Sequence, residues 1–475
     1  MDKVFEGLKP ELLWKHFDEI RKIPRCSKNE GKIREYVINF AKKLGLEYEV
    51  DDVGNVIIRK KASAGMESAP GVVLQAHLDM VCEKNSDVDF DFEKDAIRVK
   101  REDGWITADG TTLGADNGIG VAAALAVLED DSIKHGPLEV LLTIDEETGL
   151  TGASNLKPGL LKGKYLLNLD SEDEGMFFIG CAGGRDTIFK LKVSRKKGKE
   201  KAFEVRVSGL KGGHSGVDIH LQRGNAIRIL ARVLYEIENV KIALLDGGNK
   251  RNAIPREAKA IIFANEENVK KAVEEVLAEV KEELKYSDPG VNIEYSGAEA
   301  DSYIKESKKI VDFLMSLPHG VLAMSLAMEN LVETSTNLAV VKTFDDYVEI
   351  TESSRSSINS SLNFVCKQLK AMGDLAGAET HQPEGYPGWT PNPDSKILKI
   401  MKEVYKKLFN REPEVTAIHA GLETGIIGKS YPEMEMISFG PTIRYPHSPD
   451  ERVEIESVEK FWKLLVETLK ELGKQ

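Results

Sequence analysis

Three short apolar runs, each ending in groups able to bind a cation, constrain this chain more than any other feature. The first lies in GVVLQAHLD at 71–79, where VVL leads to His77 and Asp79. Residues i and i+2 of a strand share a face, so imidazole and carboxylate emerge together from a rigid element. LEVLLTI likewise runs into Asp145, Glu146 and Glu147, and YLLNLD ends in Asp170. Runs of this length bounded by polar groups read as buried strands. Helix-forming sequence separates them, VAAALAVLED most clearly, which predicts an α/β domain with a largely parallel central sheet. Strand ends are the usual place for a site in such a sheet.

Each of these residues also has an ordinary structural role open to it. His77 and Asp79 read equally as a hydrogen-bonded pair closing a core strand. Asp116, in DGTTLGADNGIG, reads as a helix N-cap. Glu146 and Glu147 fit a solvated acidic turn, and Asp170 fits a loop acid beside Glu172, Asp173 and Glu174. His447, between Pro446 and Ser448, fits an exposed loop. Adjacent Glu146 and Glu147 serve one site only if the chain bends there. The glycines around Asp116 do not form a phosphate loop, because no Lys-Ser/Thr follows them; they let the backbone bend so that Asp116 points inward.

Composition narrows the partners. A chain of 475 residues predicts two or three domains, and 41% apolar with 30% charged residues is ordinary for a globular protein. The net charge of -13 argues against nucleic acid or an anionic membrane as main partner. Cys26, Cys82, Cys181 and Cys366 are far apart with no C-x-x-C pair, so reduced thiols are expected. The N-terminus has no signal-type apolar region, and no run approaches a membrane span, so a cytoplasmic location is expected.

The pattern changes near residue 186. FKLKVSRKKGKEKAFEVRVSGL reads as strands with basic turns, RGNAIRILARVLYEI as a helix, RNAIPREAKAIIFA as a strand pair and EENVKKAVEEVLAEVKEEL as an amphipathic helix. This is a small α+β sandwich, and 300–380 resembles a looser second copy, with Asn252 and Asn337 at comparable places. After the Pro/Gly-rich HQPEGYPGWTPNP the pattern of the N-terminal part returns. The predicted organisation is therefore a catalytic domain at 1–185 and 380–475, interrupted by an α+β lid domain at 186–379 that is internally duplicated.

The motifs QAHLDMV, DGTTLGADNGIG, DEETGLTGA, LNLDSEDEG, GGHSGVDI, GGNKRNAIPREA, HAGLETG and YPHSPDE occur in this order over most of the chain. In this the sequence resembles the M20 family of co-catalytic zinc peptidases, in the branch of aminoacyl-histidine and cytosolic non-specific dipeptidases. The resemblance implies two metal ions bridged by Asp116, with His77 and Asp170 completing one site and Glu147 and His447 the other. Mixed nitrogen and oxygen ligation suits zinc, with manganese or cobalt as substitutes. Glu146 is implied as general base for a water activated by the metals, with Asp79 orienting His77. From the lid, His214 is implied to stabilise the oxyanion and Arg355 to grip a substrate carboxylate, assisted by Asn252. Gly421 and Glu423 line the site by the same resemblance, and His419 is a weaker candidate.

The implied activity is hydrolysis of dipeptides, Xaa-His among them. The alternatives are an M20 tripeptidase, an N-acyl amino-acid deacylase or a non-catalytic metal-binding relative. The implied partner is a short peptide, without nucleic acid or membrane. Shorter-lid relatives borrow a lid histidine from a second subunit. A doubled lid supplies His214 within one chain, so monomer or homodimer is expected, with the dimer not required for the site.

Overall fold

In the computed structural model, which describes residues 1–475, the three apolar runs are β1 (Val72–His77), β2 (Leu138–Thr143) and β3 (Tyr165–Asn168), each buried along its length. β1 lies between the other two and runs parallel to both, with His77 opposite Thr143 and Gln75 opposite Asn168. β4 (Glu435–Ser438) joins β3 in parallel. Antiparallel strands flank this parallel centre, Val56–Lys60 against β2 and Met176–Cys181 against β4, in a sheet of eight strands. Continuous Val/Leu runs fit strands covered on both faces. One cover is α1 (Ala115–Glu129), between β1 and β2 in the chain, whose residues are almost all buried. Parallel pairing brings the C-terminal ends of β1, β2 and β3 to one edge of the sheet, which is how residues far apart in the chain become neighbours.

The chain divides into two compact units. One holds Met1–Gly180, Pro391–Ala417 and Leu422–Gln475, and the other Cys181–Thr390 and Ile418–Gly421. The division falls at 181 because strand Gly183–Lys192 belongs to the second unit's sheet. It falls at 390 because Tyr386 and Trp389 pair back onto Gly184 and Cys181.

The second unit is built on one sheet of nine strands. Its two strand and helix sets share this sheet: Lys241–Gly247 pairs antiparallel with Val332–Thr343 at Asp246–Lys342 and Gly247–Val341. Helices Ala226–Glu236, Glu266–Glu283, Ser307–Ser316 and Asn359–Ala376 contribute to one apolar cluster with it. Asn252 and Asn337 are not at comparable places. Asn337 lies within a long strand, and its amide donates to the carbonyls of Arg251 and Ala253, on either side of Asn252. The shared Asn in two strand-rich segments reflects convergence on one loop rather than a repeat position.

The expectation of reduced thiols also fails. Cys26 and Cys82 form a disulfide with Cα atoms 5.6 Å apart. A separation of 56 residues gives no pairing signal. The two segments meet through the bridge of Cys26 to Met80 and the amide of Ser27 donating to the Met80 carbonyl. No helix is long and apolar enough to cross a membrane.

Candidate active site

The ends of β1, β2 and β3 converge with the start of α1 and the loop of His447. His77, 1% exposed, places Nε2 3.0 Å from Asp116 Oδ1 and 3.1 Å from Asp170 Oδ1. His447 places Nε2 3.1 Å from Asp116 Oδ2 and 2.9 Å from Glu147 Oε2. Two groups of ligand type, His77–Asp116–Asp170 and Asp116–Glu147–His447, thus share Asp116 and use a different oxygen of it each, and a further group joins His77 to Glu146 and Glu147.

Local backbone explains the placement. Asp116 has extended rather than helical angles (φ -79°, ψ 112°), so it stands off the first turn of α1 and points inward. Gly114 before it has φ 69°, a conformation that favours glycine. Asp145 at φ 49° turns the chain at the end of β2 into a short helical turn beginning at Glu146. The bend lets Glu147 join a ligand group while Glu146 stays beside it. His447 at φ 61° is projected by a left-handed loop residue.

The electrostatics describe a site short of positive charge. Burial opposes a charge on His77, yet Asp170, Asp116 and Asp79 outweigh it and hold the ring's pKa well above its ordinary value. Hydrogen bonds to Asp116 and Glu147 push His447 up to about 11. Burial and the neighbouring Asp116 and Glu147 raise Asp170 to about 6. Glu146 is raised by burial and by Asp170, Glu423 and Glu147. Each histidine Nε2 thus lies between two carboxylate oxygens, a set of atoms of metal-ligand type. Glu147 Oε1 is buried with no hydrogen-bond partner. The donor chemistry fits two divalent ions.

Asp79, fully buried, is the hub behind the ligands. Its Oδ1 lies 3.3 Å from His77 Nδ1 and accepts from the Glu146 amide at 3.0 Å. Its Oδ2 accepts from Ser27 Oγ at 2.7 Å and the Glu147 amide at 3.2 Å. Burial alone would raise this carboxyl; His77 and Ser27 outweigh it and hold it at about 2. Glu423, buried in the same unit, accepts from Gln75 Nε2 at 2.6 Å and Thr143 Oγ1 at 2.8 Å, directly behind β1 and β2. Burial raises it to about 7.

Two residues here carried no assigned role in the sequence reading. Glu451, 2% exposed, accepts from four consecutive amides, Leu113 (2.7 Å), Gly114 (2.9 Å), Ala115 (2.8 Å) and Asp116 (3.2 Å). It therefore ties the loop of His447 to the backbone of Asp116. Its place four residues after His447 in YPHSPDE was the available signal. Arg25 donates to the carbonyls of Leu78, Asp79 and Gly114, clamping the loops after β1 and before α1. A lone arginine in PRCS gives no such signal.

The remaining candidates lie in the second unit. His214 pairs opposite Ala253, and its Nδ1 accepts from the amides of Gly216 and Val217, both at 3.2 Å. Burial and Arg355 hold its pKa below the ordinary value. A neutral ring whose Nδ1 accepts carries its proton on Nε2, so His214 presents an N–H donor. Asn252 is exposed and accepts at its carbonyl from the Ser215 amide at 2.9 Å. Arg355, 7% exposed, donates to Tyr386 Oη at 2.9 Å and makes no ion pair with any carboxylate of the chain. His419 Nε2 lies 2.7 Å from Ser335 Oγ, and Ser335 is the cross-strand neighbour of Arg355. Burial and Arg355 depress His419 to about 3. Gly421 lies against the Tyr386 ring. The expected site residues therefore form two groups. His77, Asp79, Asp116, Glu146, Glu147, Asp170, His447 and Glu423 lie in the first unit, and His214, Asn252, Arg355 and Gly421 in the second.

Comparison with known proteins matches residues 73–471 to the family described as Peptidase family M20/M25/M40. The chain is 45% identical to the cytosol non-specific dipeptidase of Escherichia coli (strain K12), with 98% of each chain covered. The crystal structure of aminoacylhistidine dipeptidase from Vibrio alginolyticus superposes with a TM-score of 0.93 at 41% identity, covering 99% of this chain and 98% of that one. Aminopeptidase PepT from Bacillus cereus shares the fold at a TM-score of 0.58 and 18% identity, covering 98% of this chain and 100% of that one.

Proposed function

Because the chain belongs to peptidase family M20/M25/M40, we propose that it is a metal-dependent dipeptidase of broad specificity that accepts Xaa-His substrates. The observation that carries this reading is Asp116, which offers one oxygen to each of two adjoining ligand groups. His77 and Asp170 would hold one ion and Glu147 and His447 the other. Two divalent ions, zinc by this ligand set, would supply Lewis acidity and would lower the pKa of a water there to about 7.

The chain's own groups do the rest. Asp79 Oδ1, 3.3 Å from His77 Nδ1, orients the ring so that Nε2 faces the ligand group. The Glu146 carboxylate takes the proton of the attacking water and later gives it to the leaving amine. The His214 Nε2–H donates to the oxyanion that forms on the scissile carbonyl. Arg355 binds the free C-terminal carboxylate of a short peptide. A buried guanidinium with no carboxylate of its own supports that role. Asn252, beside the His214 strand pair, assists at the same pocket.

The test is to strip the protein with chelator, then return zinc or manganese. β-Alanyl-histidine, other dipeptides, a tripeptide and N-acetyl amino acids are each assayed before and after. Dipeptide hydrolysis is lost on stripping and recovered on metal addition, with N-acetyl amino acids left intact. Cleavage of N-acetyl amino acids with dipeptides untouched would make the protein a deacylase instead.

A further inference from the structure

The segment after the second unit's last helix, 382–390, returns along the strand that begins at Gly183. Tyr386 and Gly184 exchange both backbone hydrogen bonds at 3.0 Å, and Trp389 and Cys181 do the same at 2.9 Å. The Gly388 amide donates to Asn359 Oδ1 at 2.9 Å, and Thr390 Oγ1 donates to the Ser357 carbonyl at 3.0 Å. A segment anchored at so many points holds the Tyr386 ring in one place.

Two glycines make room for that ring. A Cβ on Gly184 would meet Tyr386 Oη at 2.6 Å, and a Cβ on Gly421 would meet its Cε2 at 2.8 Å. Gly184 is the cross-strand neighbour of Arg355, so the missing side chain leaves the space through which the phenol reaches the guanidinium. Arg355 Nη1 donates to Tyr386 Oη at 2.9 Å. The phenol oxygen thus spends a lone pair on Arg355 and keeps its own hydrogen to donate elsewhere. Burial raises the phenol's pKa, so that hydrogen stays in place. Arg355 Nε is buried with no hydrogen-bond partner. The pair therefore presents O–H and N–H donors with a full positive charge and no carboxylate of the chain at ion-pair distance from the guanidinium.

We propose that Tyr386 is the second arm of a carboxylate clamp, fixing the Arg355 guanidinium and donating its own hydroxyl to the substrate's C-terminal carboxylate. The inference rests on the reading of Arg355 as the group that binds that carboxylate. It explains Gly421 as the floor of the slot that holds the ring. A planar guanidinium tethered at one nitrogen loses less freedom on binding, and the added O–H makes the site select a carboxylate over a neutral amide.

The experiment compares a dipeptide with its C-terminal amide on the wild type, Tyr386→Phe and Arg355→Ala. KM is read for each substrate, or competitive Ki where the amide is not turned over. Phe keeps the ring, and thermal melting checks that the slot remains filled. For Tyr386→Phe the expected result is about a tenfold rise in KM for the dipeptide, with kcat within about twofold and the amide's value unchanged. Arg355→Ala should abolish the preference for the free acid. If Arg355→Ala keeps that preference, the carboxylate reading of Arg355 fails and the clamp fails with it. If Arg355→Ala loses it while Tyr386→Phe behaves as wild type, the reading stands and the clamp is overturned. Equal weakening of acid and amide in Tyr386→Phe, or a loss confined to kcat, also overturns it, leaving Tyr386 a packing residue.

Discussion

The two histidines of the ligand cluster and the acids between them divide the work residue by residue. Glu146 joins neither group that shares Asp116 and lies instead beside His77 and Glu147, within reach of a water held between them. Glu146→Gln should lower kcat by about 10²- to 10⁴-fold. The same variant should keep the wild-type metal content in elemental analysis. Loss of the metals together with activity would make Glu146 a ligand. Glu451 predicts the opposite pattern. A glutamine there offers one acceptor oxygen and turns an NH2 toward amides that are themselves donors, so the loop carrying Asp116 loses its anchor. Glu451→Gln should weaken metal retention about 10- to 100-fold in a chelator competition, at unchanged overall fold by circular dichroism. Wild-type retention would confine Glu451 to packing.

At the scale of elements, the legible part of the sequence was the part set by period and length. Continuous apolar runs gave β1, β2 and β3, and parallel pairing then left little choice about where His77, Glu147 and Asp170 would meet. Contacts made by backbone amides were illegible, because every residue carries an amide. Four amides on Glu451 and the carbonyls on Arg25 leave no trace in residue type. The Cys26–Cys82 pair was hidden for a related reason: its closeness depends on tertiary meeting of two loops. Strand Tyr347–Ser356 contains another such feature, Glu352, fully buried with Oε2 accepting from Thr336 Oγ1 at 2.7 Å and Oε1 without a partner. Burial pushes its carboxyl up to about 8 from an ordinary 4.5. The folded chain thus keeps a proton that the unfolded chain releases, and stability falls as pH rises from the unfolded to the folded value. Glu352→Gln removes that slope. Relative to wild type, the variant should gain on the order of 4 kcal/mol between pH 5 and pH 8.5 in denaturant titrations. Parallel profiles would mean that Glu352 ionises in place.

For the whole molecule, the decisive feature is that both halves of the second unit share one sheet and one apolar cluster within a single chain. The junction between Lys241–Gly247 and Val332–Thr343 is covalently continuous with everything on either side, so its effective concentration does not depend on how much protein is present. A lid assembled from two subunits would instead come apart as its concentration fell below the dissociation constant. His214, Arg355 and Tyr386 all belong to this one unit of one chain. Specific activity per chain should therefore stay constant on dilution from micromolar to nanomolar protein, whatever oligomer gel filtration finds at the upper end. A fall in activity that follows dimer dissociation, measured in the same buffer by light scattering, would show that a second copy completes the site and would remove His214 of the same chain as the oxyanion donor.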